Sequence, residues 1–275
     1  MILLDGKKLA DKILAELKQR VFESPKKLRL AVIVVGDDPV VRQFIERKQK
    51  AAQNIGVDTR VYPFPDSMST SELRARLAEI VHEEKNTGVI VQLPLPEKIN
   101  SQYILNGILP SKDVDLLSAR SLGLLAAGRS HILPPVAGAV KALLEEYQID
   151  YHAKKIAVVG AGQLVGKPIV LWLLNEKATF SVIRSSTLGP EEILRNSDII
   201  ITGIGKPNFL TGDMIKEGVV IIDAGTSESA GKIVGDVDPD SVAAKAAYLT
   251  PVPGGVGPLT VAILLKNLVS RARRE

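Results

Sequence analysis

The sequence predicts an α/β protein of two domains, and three observations carry that prediction. Short apolar, β-branched runs alternate along the chain with segments of helical period, the pattern of parallel sheets covered by helices. One stretch, 155–187, shows strand, glycine turn, helix and second strand in immediate succession. Between the two halves, 118–135 is a Gly- and Ser-bearing connection, and the domain boundary is placed there.

Taken in order, 9–21 has apolar residues at 9, 13, 14, 17 and 21 with Lys and Glu opposite, which predicts a helix. A buried strand over 28–35 is closed by Gly36-Asp37-Asp38-Pro39. The helix over 40–55 has an apolar stripe of Val41, Phe44, Ile45, Ala52 and Ile55. Lys48 falls inside that stripe, while Arg47, Gln49 and Lys50 take the solvent side. An ammonium in an apolar wall is costly unless paired, and desolvation lowers its pKa toward a range useful for proton transfer. The alternative is a lysine whose stem covers the core edge with its head in water.

A strand over 60–65 and a helix over 69–84 follow, with Ser69 as N-cap and Glu72 completing a capping box. The third strand of this half, 88–93, runs into Val91-Gln92-Leu93-Pro94-Leu95-Pro96. Ligands bind at the carboxyl ends of parallel strands, so Gln92 is placed to contact a substrate or Lys48, or else simply caps the strand. After Pro110, Lys112-Asp113-Val114-Asp115 is an acidic turn that either receives an amine-bearing ring or is capped by its own carboxylates.

In the second half, a helix over 137–147 leads into the strand 156–159, which ends in Gly160, Gly162 and Gly166. A helix over 165–174, with Pro168 near its first turn, and a strand over 178–183 complete the unit. Glycines in such a turn let the backbone approach a pyrophosphate at a helix N-terminus. The spacing is one residue longer than the commonest dinucleotide pattern, and a purely structural turn is the alternative; the complete unit favours nucleotide binding. The second strand ends in Arg184-Ser185-Ser186-Thr187, without the acid that would take a ribose 2′-hydroxyl. A cation followed by hydroxyls suits a 2′-phosphate, hence NADP, unless Arg184 is merely solvated. Strands over 198–202, 219–223 and 246–249 follow. A rigid Pro- and Gly-dense loop over 250–260 then leads to a closing helix over 261–273, and Arg271, Arg273 and Arg274 complement that helix's dipole.

Charged residues make up 24% and hydrophobic residues 45%, the balance of an ordinary globular protein, and the net charge of +4 suits an anionic small molecule. No basic run is interleaved with aromatics, so no nucleic-acid partner is expected. The absence of cysteine excludes thiolate catalysis and Cys-based metal centres, and His82, His131 and His152 are scattered, so no metal is expected. MILLDGKK is too quickly charged for a signal peptide and no apolar run approaches ~20 residues, so the expectation is a cytoplasmic protein without a membrane span.

Over nearly its whole length the chain resembles the FolD-type methylenetetrahydrofolate dehydrogenase/methenyltetrahydrofolate cyclohydrolases. The resemblance rests on Leu4-Asp5-Gly6-Lys7, the segment 91–96, Lys112 to Asp115, Val165-Gly166-Lys167-Pro168, Gly235-Asp236-Val237-Asp238 and, most specifically, 250–260. It implies a folate-binding catalytic domain over 1–120, on which a closing helix over 260–275 packs back, and a Rossmann-like NAD(P)-binding domain over 121–259. Folate would lie in a cleft between them. It further implies a homodimer in one-carbon metabolism that oxidises 5,10-methylenetetrahydrofolate with NADP, NAD being the alternative, and hydrolyses the methenyl product to 10-formyltetrahydrofolate. By the same resemblance Lys48 acts in proton transfer, Gln92 tunes it and Asp115 holds the pterin. Phe44, Leu93, Pro94, Pro253, Gly254, Gly255 and Pro258 would contact the folate. Gly160, Ala161, Gly162, Gln163, Val165, Gly166, Arg184, Ser185, Thr187, Gly203 and Thr226 would hold the dinucleotide.

The chain also departs from the family pattern. Val41 and Phe44 stand where Ser and Tyr are usual, Leu116 where Gly is, Leu133-Pro134-Pro135-Val136 for P-C-T-P, and Gly160-Ala161-Gly162 for G-R-S. Phe44 can stack on a ring but has no hydroxyl to relay a proton, so the hydrolase step is the more exposed to loss. Arg184, where the family commonly has His, is the candidate to replace the missing arginine. Two alternatives follow: a dehydrogenase without the hydrolase, or a degenerate member that binds folate or nucleotide without turnover.

Overall fold

The structure is a computed structural model that describes residues 1–229 and 232–272; Arg273 and Arg274 lie outside the described residues. The chain divides into two compact units. One comprises Asp11–Pro134 and Val261–Glu275, the other Met1–Ala10 and Pro135–Thr260.

The chain opens with β1 (Ile2–Leu3) and α1 (Gly6–Phe22). The first unit then contains β2 (Arg29–Val35), α2 (Pro39–Asn54), β3 (Asp58–Phe64), α3 (Thr70–His82), β4 (Gly88–Val91), α4 (Ser101–Leu105) and α5 (Ala119–Ala126). Its sheet has the order β3-β2-β4, all parallel, with Leu30 opposite both Thr59 and Gly88. The apolar run of β2 is buried from Leu30 to Val35, as a central strand covered on both faces must be. Asp38 caps α2 by accepting from the Val40 and Val41 amides at 2.7 and 3.3 Å, and Pro39 fits the first turn. Ser69 and Glu72 form the expected capping box of α3. The segment after α4 extends the sheet edge, with the Val89 amide donating to Lys112 O at 2.8 Å.

The second unit contains α6 (Pro135–Glu146), β5 (Lys155–Val159), α7 (Gly166–Asn175), β6 (Thr179–Ile183), α8 (Pro190–Arg195), β7 (Ile199–Thr202), β8 (Val220–Asp223), the antiparallel pair β9 (Ser227–Ser229) and β10 (Lys232–Val234), α9 (Pro239–Val242) and β11 (Tyr248–Leu249). Helix α10 (Val256–Ala272) closes the chain. Its residues Leu264, Leu265, Leu268 and Val269 share the core of the first unit with Val32, Ile45, Ile90 and Val114. Asn267 on the same helix donates to Val114 O and Leu133 O at 2.9 and 2.8 Å. The sheet of the second unit has the order β1-β11-β8-β7-β5-β6, all parallel. Its neighbours β6 and β7 lie on opposite sides of β5, which makes the carboxyl end of β5 the switch point where an open α/β sheet takes a ligand.

The unit boundary falls at 134/135, inside the connection 118–135 but later than 120/121, and the first ten residues group with the second unit. Two short elements account for this. Strand β1 is only two residues long, yet it pairs with β11, Ile2 opposite Tyr248 and Leu3 opposite Leu249. Helix α5 occupies the stretch expected to be a connection, capped by Ser118 and held by buried Leu125. Helix α10 also starts five residues before the expected 261, because Pro258 lies in its first turn, where its missing N–H costs nothing. Among the described residues, no helix is long and apolar enough to cross a membrane.

Candidate active site

In the first unit, α2 brings Lys48 to the carboxyl end of β4. The Lys48 ammonium donates to Gln92 Oε1 at 2.6 Å. The Gln92 amide nitrogen donates to Leu93 O at 2.8 Å, which fixes which end of the amide faces the lysine. Gln92 is itself buried, and its backbone amide donates to Ile33 O at 2.8 Å, continuing the sheet. The next peptide bond, Leu93–Pro94, is cis. The cation in the apolar stripe is therefore half-buried and held by a side-chain acceptor.

The two aspartates of the acidic turn have separate tasks. Asp113 is fully buried and accepts from the Ser118 and Leu117 amides at 3.0 and 3.4 Å, capping its own loop. Asp115 is half-buried and lies within electrostatic reach of Lys48. Burial pushes its carboxyl up to about 6, with Lys48 pulling it down and Asp113 adding to the rise. Burial likewise lowers the Lys48 ammonium, and the charge of Asp115 opposes that fall. The result is an amine poised to exchange a proton, beside a carboxyl that is charged at neutral pH. Immediately after Asp115, Leu116 adopts φ 56 and is fully buried. A left-handed leucine costs about 1–2 kcal/mol, and burying its side chain, worth about 1.5–3 kcal/mol, offsets that.

Phe44 shares the apolar stripe of α2 but not its burial. Val41, Ile45, Ala52 and Ile55 are buried, while Phe44 is 37% exposed one turn before Lys48, with the Arg47 guanidinium 5.8 Å from its ring centre. A ring this exposed, one turn from the half-buried lysine, is not a core member and has a face free for stacking.

In the second unit, the switch point is a pocket of about 580 Å³. Of the predicted cofactor residues, Gly160, Ala161, Gly162, Arg184, Ser185, Thr187 and Gly203 line it. Gln163, Val165, Gly166 and Thr226 are not among its lining residues. A Cβ at Gly166 would collide with the Gly160 carbonyl, and one at Gly203 with the Val165 side chain, so Val165 and Gly166 act by closing the turn. Gly162 differs, because a Cβ there meets nothing within 4 Å; the fold does not demand this glycine, and its bare backbone faces the pocket.

Ile204, Lys206 and Phe209 also line the pocket and were missed. The signal was present, since Gly203-Ile204-Gly205-Lys206-Pro207 follows β7, and loops at strand carboxyl ends carry ligand contacts. Pro253, Gly254 and Gly255 lie in a braced loop. Val252–Pro253 is cis, Gly254 has φ 114, the Lys7 amide donates to Gly254 O at 2.9 Å, and the Gly255 amide donates to Pro251 O at 2.7 Å. Among the described residues there is no group of three or more His, Asp or Glu side chains that could hold a metal ion.

The pocket's bare glycine backbone at the start of α7, with Arg184 at the end of β6, fits a phosphate-bearing dinucleotide. The comparisons with known proteins agree with this division of labour. Residues 4–115 match the tetrahydrofolate dehydrogenase/cyclohydrolase catalytic domain, and 134–275 match the NAD(P)-binding domain of the same enzymes. The bifunctional protein FolD of Nautilia profundicola is 42% identical over 99% of this chain and 98% of its own length. The crystal structure of the FolD methylenetetrahydrofolate dehydrogenase/cyclohydrolase of Campylobacter jejuni superposes with a TM-score of 0.96 at 41% identity, covering 99% of each chain. That of Trypanosoma brucei, complexed with NADP cofactor and inhibitor, has a TM-score of 0.94 at 33% identity, covering 100% of this chain and 98% of its own. On sequence, domain order and fold alike, the chain belongs to the tetrahydrofolate dehydrogenase/cyclohydrolase family.

Proposed function

We propose that the protein oxidises 5,10-methylenetetrahydrofolate to the 5,10-methenyl compound with NADP and hydrolyses that product to 10-formyltetrahydrofolate. The observation that carries this reading is the Lys48–Gln92 hydrogen bond of 2.6 Å with Asp115 beside it. Gly160 to Gly162 and Arg184 would hold the dinucleotide, which would supply one piece of chemistry, a hydride acceptor for the methylene carbon. The rest falls to side chains. Asp115, charged at neutral pH, accepts from the donor edge of the pterin, and Phe44 packs on its ring. Lys48, its pKa lowered by burial, takes a proton from the water that adds to the methenyl carbon. It returns a proton to the ring nitrogen as that carbon–nitrogen bond breaks.

Gln92 holds the amine in line, so the step does not require a hydroxyl at position 44. The retention of Lys48 and Gln92 as a hydrogen-bonded pair, with Asp115 in electrostatic reach of the lysine, disfavours a member without turnover. On the resemblance alone, we also read the protein as a cytoplasmic homodimer, which fractionation and a mass measurement in solution would check.

The preference for NADP is carried by Arg184, since Ala161 leaves the glycine turn without its usual cation. Arg184→Ala should lower kcat/KM for NADP by about 10–100-fold, the value of one or two charge-assisted bonds, and change that for NAD by under about twofold. An equal fall with both cofactors, or none with NADP, would remove this residue from the account.

A further inference from the structure

Two buried carboxylates stand behind the pocket rather than in it. Asp236 is fully buried in the segment after β10. Its Oδ2 accepts from the Thr202 hydroxyl at 2.8 Å and the Ile204 amide at 2.7 Å, and its Oδ1 accepts from the Lys206 amide at 2.8 Å. All three donors belong to the end of β7 and the loop that leaves it, and Ile204 and Lys206 line the pocket. Asp223, at the end of β8, accepts from the Gly225 and Val237 amides at 2.9 and 3.0 Å. Its own amide donates to the Thr250 hydroxyl at 2.7 Å.

The two acids are interlocked. A Cβ at Gly225 would collide with the Asp236 carboxyl, and one at Gly235 with the Asp223 carboxyl. Asp223 thus holds the segment that carries Asp236, while Asp236 holds the loop that faces the pocket. The ring of bonds also reaches Thr250, at the root of the braced loop of Pro253 to Gly255.

We propose that Asp236 is a positioning residue for dinucleotide binding: by taking three hydrogen bonds from the β7 loop it sets the backbone that meets the cofactor, with Asp223 fixing Asp236 in turn. A carboxylate is needed because donors converge on both oxygens. An asparagine has one oxygen, so its NH₂ would face either the Lys206 amide or the Thr202–Ile204 pair, and a backbone donor would lose its partner. The loop would then shift by the fraction of an ångström that costs affinity in a preorganised site. This rests on the pocket being the cofactor site.

The test is made on the full chain with Asp236→Asn, Thr202→Val and the double variant. It measures the Kd of NADP by calorimetry, KM for NADP and for methylenetetrahydrofolate, and the thermal midpoint. Asp236→Asn should raise Kd and KM for NADP at least about tenfold while KM for the folate moves less than about twofold. Thr202→Val, which keeps the volume and removes one donor, should raise the NADP Kd about two- to fivefold and add nothing in the presence of Asp236→Asn. A folded Asp236→Asn that binds NADP within twofold of the parent, or that weakens both substrates equally, overturns the proposal. Independent addition of the two losses does the same. If Asp236→Asn does not fold, an unchanged Kd in Thr202→Val overturns it. A parent protein that binds no dinucleotide overturns the pocket reading as well, whereas a parent that binds and variants that bind equally well overturn the positioning role alone.

Discussion

Lys48→Met is expected to lower cyclohydrolase activity by at least ~10³-fold while the dehydrogenase stays within ~10-fold of the parent. Hydride transfer needs the methylene carbon near the dinucleotide but no proton at position 48. Hydrolysis needs a base for the attacking water and an acid for the departing nitrogen, and Lys48, its pKa lowered by burial and its ammonium bonded to Gln92, suits both tasks. The substitution should not cost the fold. Methionine keeps the length of the stem and removes a charge whose burial is unfavourable, which offsets the loss of the donor to Gln92 Oε1, and Gln92 keeps its bond to Leu93 O at 2.8 Å. A folded variant with a thermal midpoint close to that of the parent is therefore expected with the loss of hydrolysis. Retained hydrolysis would remove Lys48 from the mechanism, and a parallel loss of both activities would give it a role in binding instead.

Asp115→Asn is expected to raise KM for the folate by about 10–100-fold, because an ionised acceptor becomes a neutral amide that presents one donor side to the pterin. The pH behaviour separates this from a general disturbance. With its carboxyl held at about 6, the parent should show an acid limb in kcat/KM near that pH, and Asp115→Asn should lack it. Stability moves the other way. The folded carboxyl lies above its unfolded value of 3.8, so the stability it contributes is fully present below about 3.8 and lost as pH rises through about 6. Replacing it should therefore raise the thermal midpoint at pH 7 and leave it nearly unchanged near pH 4. An acid limb that persists in Asp115→Asn belongs to another group.

The long elements were legible in the sequence because their periodicity and caps act locally. The capping box of Ser69 and Glu72 and the Asp38-Pro39 start of α2 need no tertiary context to be read. Lys48 and Gln92 stood out for the same reason, as polar groups in positions where burial has to be answered by a partner, and each is the other's partner. What escaped was short or non-local. Strand β1 has two residues and exists only because β11 offers it an edge. Helix α5 was hidden by its glycine and serines, and helical period alone puts Phe44 on the apolar stripe of α2 without distinguishing a ring facing the core edge from one facing a ligand; only the family resemblance set it among the folate contacts. Leu116 takes a backbone conformation that glycine would take freely, and only its complete burial explains why it is tolerated. Asp236 lay within a motif that carried the resemblance, but its task depends on the β7 loop more than thirty residues earlier in the chain, and no local pattern announces that.

Lys48 and Gln92, without a tyrosine hydroxyl at position 44, are expected to carry the hydrolysis that follows the oxidation. The initial rate of methylenetetrahydrofolate oxidation with NADP, following reduced cofactor and methenyltetrahydrofolate separately, decides this. Reduced cofactor should form without a matching build-up of the methenyl compound, because Lys48 and Gln92 carry it on to 10-formyltetrahydrofolate. Accumulation of the methenyl compound in step with reduced cofactor would contradict it and leave a dehydrogenase alone.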